Sequence, residues 1–168
     1  MNREPATPVP LDRYAAALEG REPLSALEKG PKRVKKLLKG VSEKVLRKRP
    51  APGKWSVKEI LAHLADGEVI LSSRLRFIAG MDRPPIPGYD QDAFVARLGV
   101  GKVKARHLLE QFELARELTL AILERIDAAD YERVGLHSER GEVTIRGMVE
   151  MYAGHDRIHE QQITRTLV

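Results

Sequence analysis

A chain of 168 residues, 42% hydrophobic and 32% charged, is long enough to bury one real core and too short for two. It contains no cysteine, which excludes a disulfide framework, thiolate metal ligands and a cysteine nucleophile, and no apolar run approaches the ~18 residues of a membrane helix. A soluble, cytoplasmic protein with no membrane partner is expected. The net charge of +5 is local: Lys29 to Arg49 holds ten Lys or Arg against Glu43 alone, while the rest of the chain holds nineteen basic and twenty-three acidic residues.

Residues 1–30 read as an arm with one short helix near Leu11 to Leu18, and residues 31–168 as a bundle domain. A first long helix is expected from Pro31 to Lys39, with proline at its start and Gly40 at its exit. Val34, Leu37, Leu38, Val41 and Val45 recur at helical spacing there, which turns Lys35, Lys36 and Lys39 to solvent. This basic segment has no aromatic residue, so it lacks the stacking platforms of a single-strand nucleic-acid binder. Ser42 caps a short turn. Two prolines and a glycine keep Arg49 to Lys54 out of a helix, and Ser56 with Glu59 forms a capping box that starts the next one.

From Ser56, a stripe of Ile60, His63, Leu64, Gly67, Ile70, Leu71, Arg74, Leu75 and Ile78 predicts a helix of about six turns, ended by Gly80, Pro84 and Pro85. Met81 to Gly101 reads as a long connection with one turn near Gln91 to Arg97, as in a bundle that is not simply up and down. A third helix over Lys102 to Ile126 presents Leu108, Leu109, Phe112, Ala115, Leu118, Leu120, Ile122 and Leu123 to the core. Tyr131 to Val143 has loop character, with at most a small strand or turn around Gly141. The last helix starts at Thr144 and carries Met148, Met151, Tyr152, His155, Ile158, His159, Gln162 and Ile163. The fold class expected is all-α, a four-helix bundle with a long crossover connection and no convincing strand.

His155 and His159 are spaced to put two imidazoles one helical turn apart on one face, and they can close on a single metal ion if a third ligand arrives from another helix. His63 is placed to be that ligand. Three nitrogen ligands leave a coordination position open for water or substrate, which distinguishes a catalytic centre from a closed structural one. The pair is not the metalloprotease motif, which needs Glu directly after the first histidine; position 156 is Asp. A buried structural histidine cluster is the competing reading. His107 and His137 fit no ligand position and read as surface residues.

The runs Arg49 to Ser56 (RPAPGKWS), His63 to Glu68 (HLADGE) with Arg74 beyond, and His155 to Gln162 (HDRIHEQQ) resemble the DinB/YfiT-like metalloprotein superfamily, over about Val34 to Thr166. That resemblance implies a four-helix bundle with one histidine on the second helix and an HxxxH pair on the last, matched here by His63, His155 and His159. It implies one divalent ion, nickel or zinc, and a homodimer. It also implies chemistry ranging from transfer of low-molecular-weight thiols to hydrolysis. The arm lies outside the pattern and carries no functional inference.

The remaining candidates each have two readings. Asp66, three residues after His63, is placed to orient an imidazole through its outer nitrogen, and Asp156 to do the same or to form a surface salt bridge. Glu68, on a different face from His63, reads first as part of a structural ion pair. Arg74, on the core stripe, needs a structural partner or an anionic substrate group, and Trp55 either plugs the bundle end or lines a substrate pocket. Gln162 continues the His155 and His159 line, to contact bound water or a neighbouring helix end. The leading function is a metal-dependent, small-molecule thiol transferase, with a metal-dependent hydrolase as alternative. A third reading is a non-enzymatic, stress-linked binding protein that uses the basic Lys29 to Arg49 face; nucleic acid is not the favoured partner.

Overall fold

The computed structural model describes residues 10–168. Its helices are α1 (Leu11–Leu18), α2 (Pro23–Leu37), α3 (Glu43–Leu46), α4 (Val57–Gly80), α5 (Gln91–Arg97), α6 (Ala105–Leu123) and α7 (Ile145–Leu167); its strands are β1 (Pro85–Ile86), β2 (Val134–His137) and β3 (Gly141–Thr144). The caps follow the sequence. Ser56 accepts from the Glu59 amide while the Glu59 carboxylate accepts from the Ser56 amide, and Ser42 and Thr144 start α3 and α7 through their own hydroxyls.

The long helices α2, α4, α6 and α7 form the bundle, with α4 packed along α6 and α7, and α2 against both α7 and α6. Helices consecutive in the bundle, α2 with α4 and α6 with α7, therefore sit across the diagonal. The connection that carries β1 and α5 makes the crossover expected from its length. Among the described residues no helix is long and apolar enough to cross a membrane.

Three expectations are corrected. First, α2 starts at Pro23 rather than Pro31, because the Glu22 carboxylate accepts from the Leu24 and Ser25 amides and caps the helix earlier. Pro31 thus lies inside a helix, where its missing N–H frees the Leu27 carbonyl, and the Arg116 guanidinium donates to that oxygen instead. Second, strands exist: β1 pairs parallel with β2, and β2 antiparallel with β3. They are two to four residues long, too short for an alternating pattern to show, and are fixed by tertiary bonds such as Leu136 N–H to the Pro84 carbonyl at 2.8 Å. Third, Leu118 is 51% exposed, because α6 presents Ala115, Arg116 and Thr119 inward instead.

The apolar core comes in two clusters. One gathers Leu27, Leu71, Leu75, Ile78, Ile145 and Met148; the other gathers Val34, Val57, Ile60, Leu61, Leu64, Phe112 and Ile163. Along each long helix the stretch between them is polar or small: Gly30 on α2, Glu68 on α4, Arg116 and Thr119 on α6, and Asp156 and Glu160 on α7. This polar level at mid-bundle positions the site.

Candidate metal centre

His63 projects from the second turn of α4, and His155 and His159 from adjacent turns of α7. Their Nε2 atoms converge: His155 Nε2 lies 2.8 Å from that of His63 and 3.1 Å from that of His159, and candidate ligand atoms of all three fall within 4.8 Å of one another. Tetrahedral bonds of 2.0–2.1 Å would set such nitrogens about 3.3–3.4 Å apart, so a shift of a few tenths of an ångström admits an ion. All three rings are held neutral, the form a metal needs. Burial and then the neighbouring His159 hold His63 well below its ordinary range. Burial, followed by the charges of His159, His63 and Arg116, does the same to His155. Burial pushes His159 down to about 4, against a hydrogen bond to Gln162.

That hydrogen bond fixes the tautomer. His159 Nδ1–H donates to Gln162 Oε1 at 2.8 Å, which leaves the Nε2 lone pair aimed at the centre. Gln162 therefore orients the His159 ring directly. With each proton on Nδ1, as Gln162 holds it in His159, a cation between the three Nε2 atoms would be stabilised by all three lone pairs. The chemistry of the donor set and its geometry fit a divalent ion.

The surroundings are aromatic. Trp55 lies with its ring 4.9 Å from His63 and stacked 6.4 Å from His159, so it covers the centre instead of merely plugging the bundle end. Tyr152 approaches His155 at 5.7 Å, and Tyr14 of α1 at 6.3 Å. Tyr14 belongs to the arm set aside in the sequence reading; Gly154 permits its approach, since a Cβ there would overlap the Tyr14 backbone.

Asp66 is half-buried, with its carboxyl pushed up by burial, but the close polar contacts of the three rings run to one another and to Gln162, not to it. Asp156 is not at the surface. It and Glu68 both accept from Arg116 Nη2, at 2.9 and 2.7 Å, in a fully buried triad. Burial and the charge of Glu68 push the Asp156 carboxyl up, to about 7, against the pull of Arg116. Gly30 makes the room, since a Cβ there would overlap Asp156 Oδ2. Arg116 was missed, although its place among Phe112, Thr119 and Leu123 on one face of α6 signals a core arginine. His137 is also corrected: it is buried, and its Nδ1 accepts from the Glu139 amide at 3.2 Å, whereas His107 is exposed.

A bundle that brings three neutral imidazoles to one point between facing helices has the arrangement by which helical bundles build metal sites. The chain is a member of the DinB superfamily, whose sequence model matches residues 26–163. It is 24% identical over 141 residues to the "Putative metal-dependent hydrolase" of Bacillus cereus and 25% identical over 141 residues to its namesake from Oceanobacillus iheyensis, covering in each case 84% of this chain and 81% of the relative. Among solved structures it is similar to YfiT from Bacillus subtilis, described as a probable metal-dependent hydrolase with an unusual four-helix bundle topology. That likeness has a TM-score of 0.79 and 18% identity, over 98% of this chain and 91% of that one. At that identity it bears on the fold alone.

Proposed function

We propose that the protein is a metal-dependent hydrolase of a small molecule, working at His63, His155 and His159. The convergence of three neutral Nε2 atoms carries this reading, and the names of the relatives favour hydrolysis over thiol transfer. A nitrogen-only donor set suits zinc or nickel. A divalent ion there supplies Lewis-acid activation at its open position. The chain's own residues do the rest. Gln162 orients His159, Trp55 excludes water from one side of the imidazoles, and Asp66, one turn along α4 from His63 with its carboxyl raised by burial, handles the proton.

Elemental analysis of untagged protein tests the centre, beside His63→Ala and a His155→Ala, His159→Ala double variant. About one ion per chain, lost in both variants, is expected; no ion after incubation with zinc or nickel overturns the reading. A panel of esters and amides assayed with and without added low-molecular-weight thiols then separates the chemistries. Turnover that needs the thiol would assign transfer, for which a chain without cysteine must take its thiol from outside.

A second binding activity is favoured by one observation. Lys32, Lys35, Lys36, Lys39, Lys104 and Arg106 rim an apolar-floored groove of about 760 Å³ between α2, α3 and α6. Its chemistry suits an anionic partner, and duplex binding that weakens steeply with salt would assign it to nucleic acid. A homodimer belongs to the same proposal: Val69 and Phe77 of α4 and Leu114 and Leu118 of α6 are about half exposed, an apolar face that a second copy would cover. Light scattering of the purified protein checks it.

A further inference from the structure

Among the described residues two arginines lie in the core, and their surroundings differ. Arg116 has two carboxylates and a carbonyl. Arg74, 6% exposed, has neutral acceptors only: Nη1 donates to the Tyr152 hydroxyl at 3.2 Å, Nη2 to the Pro87 carbonyl at 2.6 Å, and the buried Nε has no partner. A guanidinium carries five N–H donors, and two are used here. Of the acids on the preceding turns of α4, Glu68 is committed to Arg116, and Asp66 makes no ion pair with Arg74. The Tyr89 phenol supplies no charge either, since burial pushes it up to about 12. A desolvated cation with no carboxylate hydrogen-bonded to it is costly, and an oxyanion that forks onto its free edge relieves the cost.

The arginine adjoins the imidazole centre. The Tyr152 ring that meets Arg74 through its hydroxyl also meets His155, at 5.7 Å. Between His63 and Arg74, α4 carries Gly67, and the Tyr89 hydroxyl sits where a Cβ at that position would be 3.4 Å from it, with the Tyr89 ring 5.7 Å from the Arg74 guanidinium. On the other side of His155, Tyr14 lies beneath the Arg140 guanidinium at 6.0 Å, and the charges of both arginines bear on His137. Eleven residues of helix separate the His63 and Arg74 Cα atoms by about 16 Å, and the Tyr152 side chain, its hydroxyl on Arg74 and its ring against His155, spans the interval to the imidazole centre.

We infer that Arg74 is the specificity-determining anchor for an oxyanion, a carboxylate or phosphate, on a small substrate whose reacting end lies at the three-histidine centre. The inference rests on the proposed function for the identity of the reacting end only. Its test is calorimetric titration with benzoate, phenylphosphonate and the neutral isostere benzamide, on zinc-loaded and on chelator-treated protein, wild type against Arg74→Gln. One acid is expected to bind on the order of tenfold or more tighter than benzamide, with and without metal, and Arg74→Gln to bring the ratio to about one while keeping its zinc. Which acid gains identifies the oxyanion. Should Arg74→Gln fold poorly, the Arg74 Nε–H resonance of the wild-type protein is read instead, and it should move with the preferred acid and stay still with benzamide. Equal binding of acids and amide, an undiminished ratio in Arg74→Gln, or a silent Nε–H overturns the anchor. Loss of metal binding with the ratio intact would sink the metal reading and leave the anchor standing.

Discussion

Replacing Gln162 by Leu isolates the part of the candidate centre that the protein contributes beyond its three histidines. In the free protein the side chain accepts one hydrogen bond, from His159 Nδ1–H at 2.8 Å, on a half-buried neutral ring. Such a bond contributes about 1 kcal/mol to stability. Once Nε2 binds a cation, the Nδ1–H becomes a stronger donor, and charge assistance roughly doubles the bond. The difference, about 1–1.5 kcal/mol, is coupling between Gln162 and the ion, and it corresponds to roughly a tenfold loss of affinity in Gln162→Leu, within the 10–100-fold range for such supporting residues. Competition for zinc against a chromogenic chelator at pH 7.5 measures it. Gln162→Glu, which still accepts the bond, should hold affinity at or above wild type. A Gln162→Leu affinity within twofold of wild type, with the fold intact, would refute the claim that this bond sets the tautomer.

The polar layer makes further predictions. Arg116→Met strands two buried carboxylates and the Leu27 carbonyl and should cost about 3–5 kcal/mol in urea unfolding, much of it regained when Glu68→Gln and Asp156→Asn are added. Gly154→Ala overlaps the Tyr14 backbone, so α1 should leave α7, seen as new proteolytic cleavage near residues 10–22 and a loss of about 1–3 kcal/mol. Acid should weaken the metal-free protein through His159: its native value of about 4 lies below the ordinary 6.5, so this stability is present above pH 6.5 and lost as pH falls toward 4, by at most about 3 kcal/mol. Asp156, raised to about 7, acts with the opposite sign and loses stability as pH rises through 7, so urea midpoints with chelator at pH 7, 5.5 and 4.5 should fall more steeply in Asp156→Asn than in wild type.

The three histidines were legible because each sits on a helix whose apolar repeat fixes which face is inward: His63 is followed by Leu64 and Leu71 on one stripe of α4, and Ile163 continues the inward side of α7 past His155 and His159. The capping box at Ser56 and the cap at Thr144 set the phase of both helices, so few rotations were open. What could not be read depends on contacts between distant segments. Tyr14 reaches His155 from a helix with no motif of its own, and the strands exist because Pro84 and Ile86 carbonyls meet amides of residues 136 and 138. Trp55 precedes α4, and only the approach of α7 decides that its ring faces two imidazoles.

Gly30 and Pro31 show how a local rule can be sound and its application reversed. Proline and glycine together read as a helix boundary because proline removes an amide and glycine adds freedom. Here the helix passes through both, and the two defects serve the layer below. The amide Pro31 lacks leaves a carbonyl for Arg116, and the side chain Gly30 lacks leaves room for the carboxylate that Arg116 holds. Arg116 in turn holds Asp156, the residue next to His155. The charge balance at mid-bundle, and with it the setting of one imidazole, therefore runs back to a dipeptide on a helix that contributes no histidine to the candidate centre. Gly30→Ala should accordingly disturb metal affinity as well as stability, whereas a solvent-facing change such as Lys32→Ala should disturb neither; equal behaviour of the two in the chelator competition would break this chain of dependence.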